Sequence, residues 1–348
     1  MELFQILDEG GQLVGEPPAI DEATLVEMLR LMLLGRRIDQ KAISLQRRGK
    51  LGTYAPLSGQ EAASVGSVFA LDRESDWVVP QYREQLAMLH HGLPLSTYLL
   101  QRMGHPQGSE LPKDGTLYPQ QVALGAHLPQ AVGLAWGLRL QGRPGVVLAY
   151  FGDGASSEGD FHEACNLAGV RKAPVIFCCQ NNGWAISVPW HLQSGSPSVA
   201  ARGAGYGMPG VRVDGNDVLA MYASTSEARR RGLGGDGPTL IEAVTTRLGA
   251  HTTADDPTRY VPADQVEQEK ARDPITRFRT WMTATGRWDD DAHAQANRWC
   301  DEQIERAVAE FDSTPRPDPV TLFDNVYADE PVRLLRQRAA FVADRESR

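Results

Sequence analysis

Two short apolar runs, each ending in polar residues, dominate the pattern of hydrophobic positions in the middle of the chain. Residues 146–151 lead into Gly152-Asp153-Gly154, and residues 174–179 lead into Asn181-Asn182-Gly183. An amphipathic segment, residues 157–170, lies between them. This pattern predicts a β-α-β unit with polar side chains at the carboxyl ends of both strands, where open α/β sheets bind their ligands.

The hydrophobic pattern elsewhere predicts further elements of the same kind. We expect Asp21 to cap a long helix, a short strand at 77–80, and another α/β repeat between 211 and 247. We therefore predict an α/β fold with a mostly parallel sheet, helices on both faces and a helical C-terminal extension. The whole chain, 1–348, is expected to form one domain, with a lead-in at 1–21, an α/β core at 22–270 and a helical extension at 271–348.

The charge composition of the chain limits the classes of molecule that it is expected to bind. The chain carries 35 basic and 44 acidic residues, a formal net charge of −9, without blocks of either sign, which argues against nucleic acid and anionic membrane surfaces. No apolar run approaches the ~20 residues that a membrane span needs, and the acidic segment MELFQILDEG is unlike a signal or transit peptide. The four cysteines have no metal-ligand spacing, so we expect reduced thiols and a cytoplasmic location.

The residues after the two central strands suit a phosphate and a divalent cation. Gly152 and Gly154 allow a sharp turn that brings backbone N–H groups close to a ligand, and the positive end of the following helix favours an anion. Asp153, Asn182 and the carbonyl of Trp184 offer oxygen ligands of the kind that Mg²⁺ prefers. Because only Asp153 is charged, the ligand that the metal holds must supply most of the neutralising charge.

Two other phosphate-binding motifs are excluded because the sequence departs from their residue patterns. The dinucleotide fingerprint G-x-G-x-x-G fails at Ser157, and the P-loop fails because Gly159 is followed by Asp160. The spacing that fits is GDG, then the 26 residues 155–180, then NN, and it resembles the thiamine diphosphate motif. The alternative is an ordinary strand-turn-helix with a surface aspartate, which the two flanking strands disfavour.

The resemblance extends beyond this motif, over about residues 40–265. GASSEGDFHEA and QNNGWAISVP are similar to segments of the alpha chain of the thiamine-dependent 2-oxo acid dehydrogenases, as are LQRRGKLGTYAPLSGQEAA and RLGAHTTADDPTRY. The chain is identified as a member of that family. The resemblance implies a thiamine-diphosphate-binding fold with thiamine diphosphate and Mg²⁺ as cofactors. It also implies an oxidoreductase that decarboxylates a small 2-oxo acid and transfers the acyl group to the lipoyl group of a dihydrolipoamide acyltransferase.

The family also implies a second chain. In two-chain relatives, the glutamate that activates the aminopyrimidine of the cofactor belongs to a beta subunit, and nothing in this sequence obviously replaces it. We therefore expect an alpha2beta2 heterotetramer, in which this chain supplies the diphosphate and Mg²⁺ half of the site. The chain alone is expected to be inactive.

The resemblance assigns roles to individual residues. His251 would be catalytic, facing the incoming acyl acceptor above the diphosphate, and Tyr54 and Gln81 would contact substrate. The residues alone leave other roles open. Arg83 would then form a salt bridge to Glu84, Tyr54 would be a packed loop aromatic, and His251 would be structural. The metal ligands would be Asp153, Asn182 and Trp184, and the cofactor contacts would be Tyr82, Arg83, Val122, Leu124, Gly152, Gly154, Ala155, Asn182, Ala185, Ile186 and His251.

Two groups of segments resemble family members that act on different substrates. GYGMPGVRVDGNDVLAMYA and HTTADDPTRY look closest to bacterial branched-chain members, so we predict a 3-methyl-2-oxobutanoate type of substrate and a role in branched-chain amino acid catabolism. FQILDEGG and GAHLPQAVG instead resemble pyruvate members, so pyruvate is the close alternative. An acetoin-cleaving thiamine enzyme is disfavoured because QNN stands where that group usually has ENN. An inert structural or regulatory subunit is disfavoured by the intact site residues.

Overall fold

A five-stranded parallel sheet forms the centre of the computed structural model, which describes residues 1–324 and 326–347. Its strand order is β1-β2-β3-β7-β6, and a separate antiparallel hairpin pairs β4 with β5. The sheet confirms the predicted α/β class. The strands are β1 (Trp77–Val79), β2 (Val147–Gly152), β3 (Val175–Asn181), β4 (Trp184–Ala185), β5 (Val188–Pro189), β6 (Gly210–Asp214) and β7 (Thr239–Val244).

Helices cover both faces of the sheet because successive strand residues point to opposite sides. On β2, Leu148 and Tyr150 belong to a core shared with α1, α2 and α8, whereas Ala149 and Phe151 pack with α5 and α6. Helix α1 begins where the Asp21 carboxylate accepts the Thr24 N–H at 2.9 Å. The described helices that precede β7 are α1 (Glu22–Arg47), α2 (Glu61–Phe69), α3 (Gln85–His90), α4 (Leu95–Met103), α5 (Leu128–Leu140), α6 (Gly159–Arg171), α7 (Trp190–Gln193) and α8 (Val218–Leu233).

The C-terminal part is helical, as predicted. Helices α10 and α11 place Phe278, Trp281 and Ile304 in the same core as α1. Helix α12 has no buried residue and packs on the short 3-10 turn Pro319–Phe323. That the whole chain forms a single domain stays a prediction. The helices here are α9 (Ala263–Ala271), α10 (Pro274–Ala284), α11 (Asp290–Ser313) and α12 (Val332–Glu346).

The N-terminal lead-in extends the sheet at its β6 edge. Phe4 forms a parallel bridge to Val213, and its N–H donates to the carbonyl of Arg212 at 2.9 Å. The carboxylate of Asp217 accepts the N–H groups of Ile6 and Leu7 at 2.7 and 2.6 Å. This segment is therefore bound to the core as an edge element of the sheet.

None of the helices in the described residues combines the length and apolarity needed to span a lipid bilayer.

Candidate active site

A cavity of about 320 Å³ opens at the carboxyl edge of the sheet, where β1, β2 and β3 end side by side. Parallel strands present their carboxyl ends at one edge, so the residues following them converge although they are far apart in sequence. The predicted site residues that line this cavity are Gln81, Tyr82, Arg83, Leu124, Gly152, Asp153, Gly154, Ala155, Asn182, Trp184, Ala185, Ile186 and His251.

The turn after β2 places a buried carboxylate at the cavity. Asp153 is 1% exposed, and burial raises its pKa to about 6. Its side chain accepts a hydrogen bond from the Gln193 amide of α7 at 2.8 Å, and a carboxylate can accept several more. Gly154 is packed closely, since a Cβ there would lie 3.0 Å from Cβ of Ala185. Asp153 was predicted as a site residue, whereas Gln193 was not, because it lies in a Ser- and Pro-rich segment that is typical of a loop.

The segment after β3 forms the opposite wall. The Asn182 side-chain oxygen accepts the Trp184 N–H at 3.2 Å, and its amide donates to Gln60 at 3.3 Å. The β4-β5 hairpin then turns at Ile186, whose φ of +56° lies in the left-handed region that a β-branched residue rarely adopts. Ile186 is 53% exposed at the cavity, so an apolar side chain is held in a strained conformation at the mouth of the site.

Arg83 and His251 meet in one hydrogen-bonded unit. The Arg83 guanidinium donates to the His251 carbonyl at 2.7 Å, to the Pro56 carbonyl, and lies 2.8 Å from Nδ1 of His251. A guanidinium can only donate, so Nδ1 accepts and the neutral ring carries its proton on Nε2. Burial and the charge of Arg83 lower the pKa of His251 to about 4. His251 is therefore a neutral donor at pH 7.

The loop that carries His251 is held by a chain of side-chain contacts. The Asp255 carboxylate accepts the His251 N–H at 2.7 Å and the Tyr260 hydroxyl at 2.6 Å. Arg247 donates to the Tyr260 hydroxyl at 2.8 Å and to the Ile186 carbonyl at 3.1 Å, which ties the loop to the hairpin. Arg247 and Asp255 were not predicted as site residues, because their role appears only when the loop is folded.

Comparison with known proteins agrees with this geometry. A family model described as "Dehydrogenase E1 component" matches residues 29–320. Proteins named pyruvate dehydrogenase E1 component subunit alpha, from Staphylococcus epidermidis and from Staphylococcus aureus, are each 41% identical over 339 residues, which is 97% of this chain and 91% of the relative. The chain belongs to the dehydrogenase E1 component family. This confirms the predicted kinship with alpha chains of thiamine-dependent 2-oxo acid dehydrogenases, and it confirms that the chain is an enzyme component.

Dehydrogenase E1 components depend on thiamine diphosphate, typically with Mg²⁺, and the residues at the cavity fit both groups. The buried amide nitrogens of Gln60 and Gln81 line the cavity without a hydrogen-bond partner among the described residues, so they are available to an anionic ligand. The Asp153 carboxylate, whose pKa burial raises, gains a favourable interaction from any bound cation. One carboxylate with amide and main-chain oxygens is a donor set suited to Mg²⁺.

Glu84 is a site residue of the E1 chain that the sequence did not reveal. It lines the cavity, and its carboxylate accepts the N–H groups of Gln81 and Arg83 at 2.8 and 3.1 Å and the Gln180 amide at 2.7 Å. It therefore fixes the turn that carries Arg83 and joins the ends of β1 and β3. The alternative of a salt bridge between Arg83 and Glu84 is not what the structure shows, since Glu84 bonds the Arg83 main chain.

Tyr54, predicted to contact substrate, does not line the cavity. It is 0% exposed, and its hydroxyl donates to the buried Asp39 carboxylate at 2.7 Å. Its backbone exchanges hydrogen bonds with Thr253 on the His251 loop, N to Oγ1 at 3.1 Å and O to N at 2.8 Å. The structure therefore assigns Tyr54 to the support behind the site, because its side chain is turned into the core.

The predicted cofactor contacts Val122 and Leu124 are both exposed, but they differ in their position relative to the cavity. Leu124 lines it and is 40% exposed, whereas Val122 is 68% exposed and does not line it. Ala155 and Ala185 lie deeper, beside the GDG turn. Whether these residues contact the cofactor stays a prediction.

Proposed function

We propose that the chain is the alpha subunit of a pyruvate dehydrogenase E1 component. The proposed substrate rests on the 41% identity, over 97% of the chain, to proteins named pyruvate dehydrogenase E1 component subunit alpha. These relatives favour the pyruvate alternative over the branched-chain substrate and the branched-chain catabolic role that the sequence led us to expect. The cytoplasmic location stays a prediction.

Residues at the ends of three strands, β1, β2 and β3, would bind the cofactor and its metal ion. Asp153, Asn182 and the Trp184 carbonyl would hold Mg²⁺, and Arg83, Tyr82 and the Gly152–Gly154 turn would hold the diphosphate. Arg83 uses three of its five N–H donors on protein acceptors, which leaves two for phosphate oxygens. When bound, thiamine diphosphate supplies the electron sink for decarboxylation.

His251 would act as a fixed hydrogen-bond donor. Arg83 donates a hydrogen bond to Nδ1 of His251, so the proton on Nε2 is the one available to ligand or substrate. Because its pKa is lowered to about 4, the ring keeps this single-proton state across the neutral pH range. Gln81 is held by the Gly152 N–H, which donates to its side-chain oxygen at 3.1 Å, so its free amide nitrogen would face substrate or cofactor.

An alpha subunit of an E1 component implies a beta subunit, and the exposed apolar rim of the cavity supports this. Leu124 and Ile186 are exposed and line the cavity, where a second chain would bury them. We propose an alpha2beta2 assembly that closes the site and delivers the acyl group to the lipoyl group of a dihydrolipoamide acyltransferase.

The test is an acyl-CoA production assay with co-expressed beta subunit and reconstituted partners, comparing pyruvate with 3-methyl-2-oxobutanoate. We expect a higher kcat/KM for pyruvate and no decarboxylation by the chain alone. A higher kcat/KM for 3-methyl-2-oxobutanoate would restore the branched-chain prediction. Turnover of either acid by the isolated chain would refute the two-chain arrangement.

A further inference from the structure

A second cavity, of about 530 Å³, lies away from the active site and shares no lining residue with it. Its walls come from the exposed side of α1, the end of α3, the start of α4 and α11. Its volume falls in the range of small-molecule sites, about 300–1,000 Å³. None of the chemistry described above uses this cavity.

Two arginines line the cavity without an acidic partner. Arg30 and Arg73 make no salt bridge and no side-chain hydrogen bond to residues 1–324 and 326–347. The Arg30 guanidinium instead lies 4.3 Å from the centroid of the Trp299 ring, a cation–π contact that leaves its N–H edge free. Among the described residues that line the cavity, Glu27 is the one acidic residue, so the lining carries a net positive charge.

Neutral polar groups and an apolar wall complete the lining. The side chains of Gln303 and His90 also make no hydrogen bond within the described ranges, and burial, with His91 and Arg73 nearby, lowers the pKa of His90 to about 3. The apolar wall is formed by leucines of α1 and of the segment between α3 and α4, including Leu31, Leu34 and Leu93. Leu93 is 3% exposed and packs in the main core, so this wall is rigid.

We propose that this cavity is a second ligand site, which binds a small organic carboxylate with an apolar body. The guanidinium groups of Arg30 and Arg73 pair with the carboxylate, for which their planar donor geometry is suited. The leucine wall takes the hydrocarbon part. A neutral ligand of the same shape lacks the charge pairing, and a phosphate without an apolar body leaves the leucine wall uncovered.

The test uses hexanoate as probe and hexanamide as its neutral match, with the complete alpha-beta complex saturated with thiamine diphosphate and Mg²⁺. Ligand-observed NMR titration is expected to give saturable hexanoate binding, with hexanamide at least about tenfold weaker, because a hydrogen bond to a charged group contributes about 1.5–3 kcal/mol. The cofactor leaves the substrate part of the active site open, so the variants below separate hexanoate bound there from hexanoate bound in the second cavity.

Three variants locate the site. Arg30→Met and Arg73→Met should each weaken hexanoate about tenfold or more and leave hexanamide unchanged. Val26→Trp, which fills the cavity from the partly exposed side of α1, should remove binding of both probes. Arg47→Met, an exposed arginine at the other end of α1, is the matched control and should bind as the wild type does. Thermal unfolding of each complex checks that it is folded.

Several outcomes would overturn the proposal: equal affinity for hexanoate and hexanamide, hexanoate affinity unchanged in both arginine variants, or binding that survives Val26→Trp. Binding to the isolated chain but not to the complex would also overturn it, because the cavity would then be covered by the partner subunit.

Discussion

Replacing Glu84 by glutamine should stabilise the chain, and increasingly so as the pH rises. Burial raises the pKa of Glu84 from its ordinary value of 4.5 to about 7. In the folded state the carboxyl therefore resists ionisation, whereas in the unfolded chain it ionises near pH 4.5. The contribution of Glu84 to stability is fully present below pH 4.5 and is lost as the pH rises through 7.

The magnitude follows from the two pKa values. One pKa unit corresponds to about 1.4 kcal/mol, so ionisation of Glu84 lowers the free energy of unfolding by about 1 kcal/mol at pH 5 and by about 3 kcal/mol at pH 8. Glutamine keeps an oxygen for the Gln81 and Arg83 N–H groups. Its amide can donate to the Gln180 side-chain oxygen, which has no partner among the described residues, once the Gln180 amide rotates.

Urea unfolding of wild type and Glu84→Gln at pH values from 5 to 8 measures this difference directly. We expect the gain in the variant to grow by about 2 kcal/mol over this range. Glu302→Gln, an exposed substitution on α11, controls for the removal of one negative charge. A gain that is constant with pH, or that shrinks towards pH 8, would refute the reasoning that burial dominates the ionisation of Glu84.

Three further predictions concern the site itself. Asp153→Ala should weaken Mg²⁺-dependent thiamine diphosphate binding by about 100-fold or more in calorimetric titration of the assembled enzyme, since removing one partner of a buried charge pair costs about 3–5 kcal/mol; unchanged affinity would remove Asp153 from the metal site. His251→Ala should slow acyl transfer to lipoamide more than decarboxylation in single-turnover measurements, and equal slowing would reassign the residue to cofactor binding. Tyr260→Phe removes the hydroxyl between Arg247 and Asp255, so limited proteolysis within 247–262 should become faster, whereas an unchanged cleavage rate would show that the loop is held by other contacts.

The sheet and the core of the site could be predicted because they depend on local patterns. The apolar runs that became β2 and β3 end within two residues of the predicted positions, and the GDG and NN residues lie at adjacent strand ends. Strand periodicity and the convergence of parallel strand ends are enough to bring Asp153 and Asn182 to one cavity.

The supporting residues could not be predicted, because their roles depend on partners distant in sequence. Glu84 meets Gln180 across 96 residues, and Tyr54 meets Thr253 across 199. Nothing in the local sequence distinguishes a tyrosine whose hydroxyl bonds a buried carboxylate from one that lines a cavity. Helix α9 was also not predicted, because it has no buried residues and its sequence shows no helical spacing of apolar residues.

During synthesis, the segment around Phe4 and Leu7 leaves the ribosome long before its binding partners exist. The Leu7 N–H donates to Asp217, 210 residues later, and Phe4 bridges to β6, whose partner strand is the still later β7. The edge of the sheet is therefore assembled after residue 244 has emerged, and the segment around Phe4 stays undocked until then. Once β6 has paired with β7, its outer edge is open to strands from other chains until the segment around Phe4 docks on it. A segment translated about 200 residues before β6 therefore protects this edge from aggregation.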